Sequence, residues 1–259
     1  SYGVNLNMAK GFTVKAKVPE NTVEEGAIDI QKAREMIRGK SIVFCLPGRG
    51  CSFTFLKNFV QLCFELVQNG ASIQISQDYS SVVNFARCKC LGANVLRGPD
   101  QEPWDGKLNY DYQLWIDSDI VFGIEQFYRL VLHDKDIVAG WYLTEDGRTT
   151  SCAHWLDGES FKTNGGVMNH EKIDTITKRK KLFTVDYTGF GWTMIKKGVF
   201  EHPEIKYPWF PIKLQEFNDG EIVDFCGEDV GFCLDAIAAG FKIWVDPLCR
   251  VGHEKTRVL

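Results

Sequence analysis

A chain of 259 residues with 44% hydrophobic, 13% aromatic and 25% charged residues has an ordinary globular composition, which excludes a fibrous or disordered chain and allows a substantial core. A formal net charge of −4 gives no general attraction to phosphate backbones, so nucleic acid is not an expected partner. Nine cysteines, mostly in apolar segments and with Cys88-Lys89-Cys90 lacking zinc-site spacing, together with the absence of any apolar run of membrane-spanning length, point to a soluble cytoplasmic protein in a reducing compartment.

Residues 1 to 20 lack a clear pattern and are expected to form an irregular lead-in. Thr22 and Glu25 have capping-box spacing, Ile30, Ala33 and Ile37 share a helical face, and Gly39 is placed to close this helix, which is expected to sit as an appendage. Ser41 to Leu46 is an unbroken apolar run entering Pro47-Gly48-Arg49-Gly50, the pattern of a buried strand and a tight loop. Phe55, Phe59, Leu62, Cys63 and Leu66 then recur at helical spacing up to Asn69-Gly70, and a second strand covers Ser72 to Ser76. Strand, helix and strand in this order call for a right-handed crossover and a parallel sheet. Val82 to Leu91 continues as a helix, Asn94 to Leu96 as a short strand, and residues 100–109 as a loop.

The next strand ends in charge. In Leu114-Trp115-Ile116-Asp117-Ser118-Asp119-Ile120-Val121-Phe122, two carboxylates stand one residue apart in an apolar run. In extended backbone residues i and i+2 share a face, so Asp117 and Asp119 are expected to converge on one ligand. Paired carboxylates in a half-buried place need a cation, and oxygen ligands suit magnesium or manganese; the competing reading is a strand end with two solvated aspartates.

Ile124 to His133 then reads as a helix, and Ile137 to Tyr142, Cys152 to Leu156 and Thr184 to Tyr187 read as strands, the last leading into Gly189-Phe190-Gly191-Trp192. Lys178 to Lys181 reads as a solvated basic loop, and residues 203 to 222, without periodicity, as a long surface excursion. Gly227-Glu228-Asp229 opens a helix whose acidic first turn suits the macrodipole; Gly240 ends it, Phe241 to Val245 is a strand, and His253 follows Asp246-Pro247.

The ordered set of Asp117-Ser118-Asp119, Gly189-Phe190-Gly191, Gly227-Glu228-Asp229 and His253 resembles the nucleotide-sugar glycosyltransferases of GT-A fold, especially the inverting group-2-type family. The resemblance runs from about Ser41 to His253. It implies an α/β fold, a single Rossmann-like domain with a mixed central sheet flanked by helices, with residues 1–40 as an N-terminal extension and 41–259 as the catalytic domain. Residues 41–123 would then form the nucleotide-binding part and 124–259 the acceptor-binding part. The implied reaction moves a sugar, with inversion, from a nucleoside-diphosphate sugar, UDP favoured, to a hydroxyl on a saccharide, protein or lipid acceptor.

On this resemblance Asp119 is the direct metal ligand, with Asp117 on the ribose or beside the metal, and His253 is the second ligand. An oxygen and imidazole set favours manganese over magnesium. Asp229 matches the family's base, which takes the acceptor proton, and Glu228 orients the acceptor; helix capping and dipole compensation are the competing roles for both. Pro47, Arg49 and Asp78 are placed for the base and ribose, although Ser76-Gln77-Asp78-Tyr79 departs from the family's doubled acidic motif. Arg87 is assigned either to the nucleotide or to a surface salt bridge, and Lys255 to the diphosphate. Gly189 and Gly191 are expected to allow close backbone approach to sugar or acceptor, while Trp192 is either a stacking wall or a core residue. Leu46-Pro47-Gly48-Arg49-Gly50 is too short for a nucleotidyltransferase's glycine-rich loop, and no Gly-x-Gly-x-x-Gly opens the first helix as in a dehydrogenase. A catalytically inactive nucleotide-binding protein of the same fold is the main alternative, against which Asp119, Asp229 and His253 argue. The sequence leaves oligomeric state open.

Overall fold

The computed structural model describes residues 27–255, so the proposed capping box of Thr22 and Glu25 lies outside the described residues. The first described helix, Ile30–Ile37, is capped by Asp29, whose carboxylate accepts the Lys32 backbone N–H at 2.9 Å. It is no appendage. Ala33 and Ile37 are fully buried and belong to one of the two main core clusters, because the helix lays its apolar face against the sheet-covering layer that also contains Ile124–His133.

A seven-stranded mixed sheet organises the rest. Its order is Ser72–Asp78, Ser41–Pro47, Tyr112–Ile116, Trp192–Lys196, Ile137–Trp141, Ile243–Arg250 and Phe183–Val185. The first three strands are parallel, as the crossover pattern requires. Trp192–Lys196 runs antiparallel between Tyr112–Ile116 and Ile137–Trp141, and so joins the parallel trio to a second parallel pair.

Period-two alternation divides the core between the two faces. Ile42, Phe44, Leu114 and Ile116 point to the face covered by the helices Ile30–Ile37, Phe53–Gln68 and Ile124–His133. Val43, Cys45 and Trp115 point to the other, covered by Val83–Cys90 and Glu228–Ala238. Within Phe53–Gln68, the buried set Phe55, Phe59, Leu62 and Leu66 has the helical spacing read from sequence, and Ser52 caps it by accepting the Phe55 N–H at 3.1 Å.

Three local expectations are corrected. Asn94 to Leu96 forms no strand: Asn94 accepts the Leu96 N–H at 2.9 Å and starts the short 3-10 turn Val95–Arg97. Residues 203–222 are not only a surface excursion, since Trp209 and Phe210 are almost wholly buried in the second core cluster, and Lys213–Phe217 pairs with Ile222–Cys226 as a hairpin. The basic run is not simply solvated either. Arg179 donates to Glu171 at 2.7 Å and lies 4.3 Å from the Phe183 ring centroid.

Candidate active site

The strand Tyr112–Ile116 stops one residue before Asp117. Asp117 to Asp119 is a turn, closed by the Ile120 N–H donating to the Asp117 carbonyl at 3.1 Å. The i, i+2 rule for extended backbone therefore does not hold across this pair, and the expected convergence of the two carboxylates is replaced by two separate sets of partners.

Asp119 faces the chain's far end. The short strand Gly252–His253 pairs antiparallel with Ile120–Val121, His253 opposite Ile120, and the Glu254 N–H donates to the Asp119 carbonyl at 2.7 Å. This ribbon brings His253 Nε2 and Lys255 Nζ each to 3.0 Å from Asp119 Oδ2. His253 Nδ1 lies 2.8 Å from the Leu143 carbonyl and must donate to it, because a carbonyl only accepts. The Nε2 facing Asp119 therefore either carries a second proton or offers a lone pair to a cation.

That donor set fits a divalent ion. Neighbouring ligands on one ion, each about 2.1 Å from it, stand about 3 Å apart, and carboxylate with imidazole suits manganese. Among the described residues no group of three or more His, Cys, Asp or Glu gathers to hold a metal. The protein supplies two donors here, and substrate oxygens and water would have to supply the others, which is common for octahedral ions at phosphates.

Asp117 turns the other way, to Arg87. Arg87 Nη2 donates to Asp117 Oδ2 at 3.2 Å, Nη1 lies 3.1 Å from Oδ1, and Nε donates to Glu228 Oε1 at 3.0 Å. The guanidinium is buried, with ring centroids of Phe190, Trp115 and Phe210 at 5.4, 5.9 and 6.0 Å. Burial alone would lower its pKa; the charges of Asp117 and Glu228 overcome that and raise it, so the cation is fixed. The surface salt bridge expected as one role for Arg87 is thus a three-residue network around a buried guanidinium, joining the strand end, the helix Val83–Cys90 and the start of Glu228–Ala238.

Asp229 stands next to that network without a cation of its own. Its Oδ1 accepts the Val230 N–H at 2.8 Å. Although one edge remains partly exposed, enclosure by protein and the neighbouring Glu228 charge push its carboxyl up to about 6, against the lowering pull of Arg87.

A residue missed in the sequence connects the two halves. Tyr142 packs its ring 5.0 Å from that of His253, and its hydroxyl accepts the Gly191 N–H at 3.3 Å. Burial and the charges of Asp117 and Asp229 keep the phenol protonated by raising its pKa. Gly189 and Gly191 make room for this tyrosine: a Cβ would meet Tyr142 Oη at 2.2 Å from Gly189 and Tyr142 Cε1 at 2.7 Å from Gly191. Both glycines are buried. Trp192 is fully buried and stacked on Phe122 at 4.7 Å, so it is a core residue and cannot be a stacking wall for an acceptor.

A crevice opens beside Asp119. A cavity of ≈ 560 Å³ is lined by Arg49, Tyr79, Ser118, Asp119 and Glu254 among others, and an adjoining one of ≈ 180 Å³ reaches Leu46, Phe55 and Gln77. Both share Gly48 to Cys51 and Ser118. Pro47 ends the strand that feeds this loop, and Arg49 lies over the Tyr79 ring at 5.8 Å. Asp78 lines neither cavity: its carboxylate accepts the Tyr79 N–H at 2.7 Å and stands 3.7 Å from Lys89. From the strand Ser72–Asp78 and the residue after it, Gln77 and Tyr79 line the crevice. A Gly-rich loop in the sequence signalled the crevice; nothing in it singled out Tyr79, Ser118 or Tyr142.

No protein-family model and no curated protein sequence matches this chain. Among solved structures, A197 from STIV is similar at 18% identity and a TM-score of 0.45, over 85% of this chain and 96% of that one. GalNAc-T7, crystallised with UDP, GalNAc and Mn2+, is similar at 12% identity and a TM-score of 0.47, over 84% of this chain but 43% of its own length. A mycobacterial protein gives 10% identity and a TM-score of 0.42, over 93% of this chain and 74% of that one. Chemistry does not transfer at such identities and scores. Among the described residues no helix is long and apolar enough to cross a membrane.

Proposed function

We propose that this chain is a metal-dependent, inverting glycosyltransferase of GT-A fold, moving a sugar from a nucleoside diphosphate, UDP by the resemblance, to an acceptor hydroxyl. The observation that carries the reading is the meeting of Asp119 and His253, 134 residues apart, at 3.0 Å on the rim of the crevice beside Gly48 to Cys51. A manganese or magnesium ion held there by Asp119 and His253 would neutralise charge developing on the leaving diphosphate. Arg49 and Tyr79, which line the crevice, would flank the nucleotide, and Lys255, bonded to Asp119, would meet its phosphates.

Asp229 takes the proton of the attacking hydroxyl. Its raised pKa gives it useful basicity near neutrality. Arg87 holds Asp117 and Glu228 beside it, and Glu228 would orient the acceptor. The hydroxyl of Tyr142, held by Gly191, remains a neutral donor between the two halves.

Thermal denaturation with a panel of nucleoside diphosphates, with and without manganese, tests the reading, since a ligand bound only by the native state raises its apparent stability. A metal-dependent rise with one nucleotide, lost in Asp119→Ala, is expected. No rise with any nucleotide overturns it; binding with no transfer to any acceptor would assign the chain to inactive nucleotide-binding proteins.

A further inference from the structure

Among the described residues, one edge of the sheet is open. Ser72–Asp78 is a terminal strand, in unbroken seven-residue register with Ser41–Pro47, and its outer edge has no strand partner among the described residues. Its sequence, Ser-Ile-Gln-Ile-Ser-Gln-Asp, has neither proline nor lysine, and its pairing has no bulge, so three common protections of an open edge are missing. Ile75 at its centre is 57% exposed.

The helix over this flank, Phe53–Gln68, has a second apolar stripe outside its buried one. Phe53, Leu56, Val60, Phe64 and Val67 are all exposed, Phe53 at 89% and Phe64 at 64%. A helix face that stays in water normally carries charge. Here the helix has two charged residues, Lys57 and Glu65, and Glu65 is already held by Arg34 and Tyr128 at 2.8 Å each.

We infer that this flank is the interface between two copies of the chain, related by a two-fold axis that passes Val60 and Ile75. A two-fold interface requires a surface that complements itself. The stripe does: its members are separated by three, four, four and three residues, the same read from either end. In an antiparallel pair centred on Val60, Phe53 meets the partner's Val67, Leu56 meets the partner's Phe64, and Val60 meets the partner's Val60. Lys57 comes opposite the partner's Cys63 and not the partner's Lys57, so self-pairing brings no like charges together. The seven-residue strand is centred on Ile75, and antiparallel pairing there would use the outward N–H and C=O groups of both edges. The 16-residue helix is about 24 Å long. With the strand beside it, the flank offers an area on the order of the 800 Å² per partner that stable interfaces bury.

Light scattering after size exclusion at micromolar concentration is expected to give twice the chain mass. Val60→Glu and Val60→Lys each place like charges on the axis and are expected to run as monomers with unchanged circular dichroism; mixed in equal amounts, they are expected to recover the dimer. A monomeric parent chain overturns the inference, as does a dimer that survives both substitutions, which would place the contact elsewhere. A mixture that stays monomeric overturns the axis at Val60. If either variant loses its fold, hydrogen exchange in the parent decides: slow exchange of the outward amides of Ser72–Asp78 is expected, and rapid exchange refutes the pairing.

Discussion

Asp229 holds its proton up to about pH 6 because it is enclosed by protein and stands next to Glu228, and the lowering pull of Arg87, which is bonded to Asp117 and Glu228, does not offset this. Two outcomes follow from a folded pKa of about 6 against about 3.9 unfolded. As the base, it acts only when ionised, so the transfer rate is expected to rise with pH through about 6 and then level off; a pH–rate profile flat across that range would remove Asp229 from the role. The native state also binds this proton more tightly than the unfolded chain. Stability from this group is therefore fully present below about pH 4 and lost as pH rises through about 6. Asp229→Asn removes the penalty. It is expected to abolish transfer, leave nucleotide binding intact, and raise stability at neutral pH by up to roughly 3 kcal/mol, with no gain in acid, as measured by urea unfolding across pH.

At the scale of elements, Arg87 ties a helix to a strand end and to the first turn of another helix. Arg87→Ala leaves Asp117 and Glu228 without their cation and is expected to destabilise the fold by about 3–5 kcal/mol. Adding Asp117→Asn and Glu228→Gln should recover part of that loss, and urea unfolding of the triple variant checks it. Arg87→Lys is expected to recover little, since an ammonium cannot reproduce the forked contacts. The elements themselves were largely legible: the apolar run Ser41 to Leu46 and the helical spacing of Phe55, Phe59, Leu62 and Leu66 appear where periodicity put them. Local pattern failed where contacts distant in sequence decide. Nothing near Arg87 reveals that Asp117 and Glu228, 30 and 141 residues away, will bury it. Nor does the spacing of Gly189 and Gly191 reveal that the group needing their space is Tyr142. At Asp117-Ser118-Asp119 the error was local: extended geometry was assumed one residue past the strand's end.

At the scale of the whole molecule, the proposed site would draw on distant parts of the chain: the exits of the first strands, the turn after Ile116, the helix opened by Glu228, and the ribbon that returns His253 to Asp119. Because the ribbon supplies one of the two proposed metal donors, His253→Ala is expected to remove the manganese-dependent part of nucleotide stabilisation while circular dichroism stays unchanged; retention of that dependence would show that the ion sits elsewhere. The ribbon also delivers Lys255 to the same Asp119 oxygen that His253 approaches. On the proposed function a tethered ammonium thus stands where the divalent ion would sit, and loading the site would be an exchange, one cation leaving as another arrives. Lys255→Met should accordingly tighten manganese binding several-fold in the absence of nucleotide, as titration calorimetry would show, and loosen it only when a diphosphate is there to receive the displaced charge.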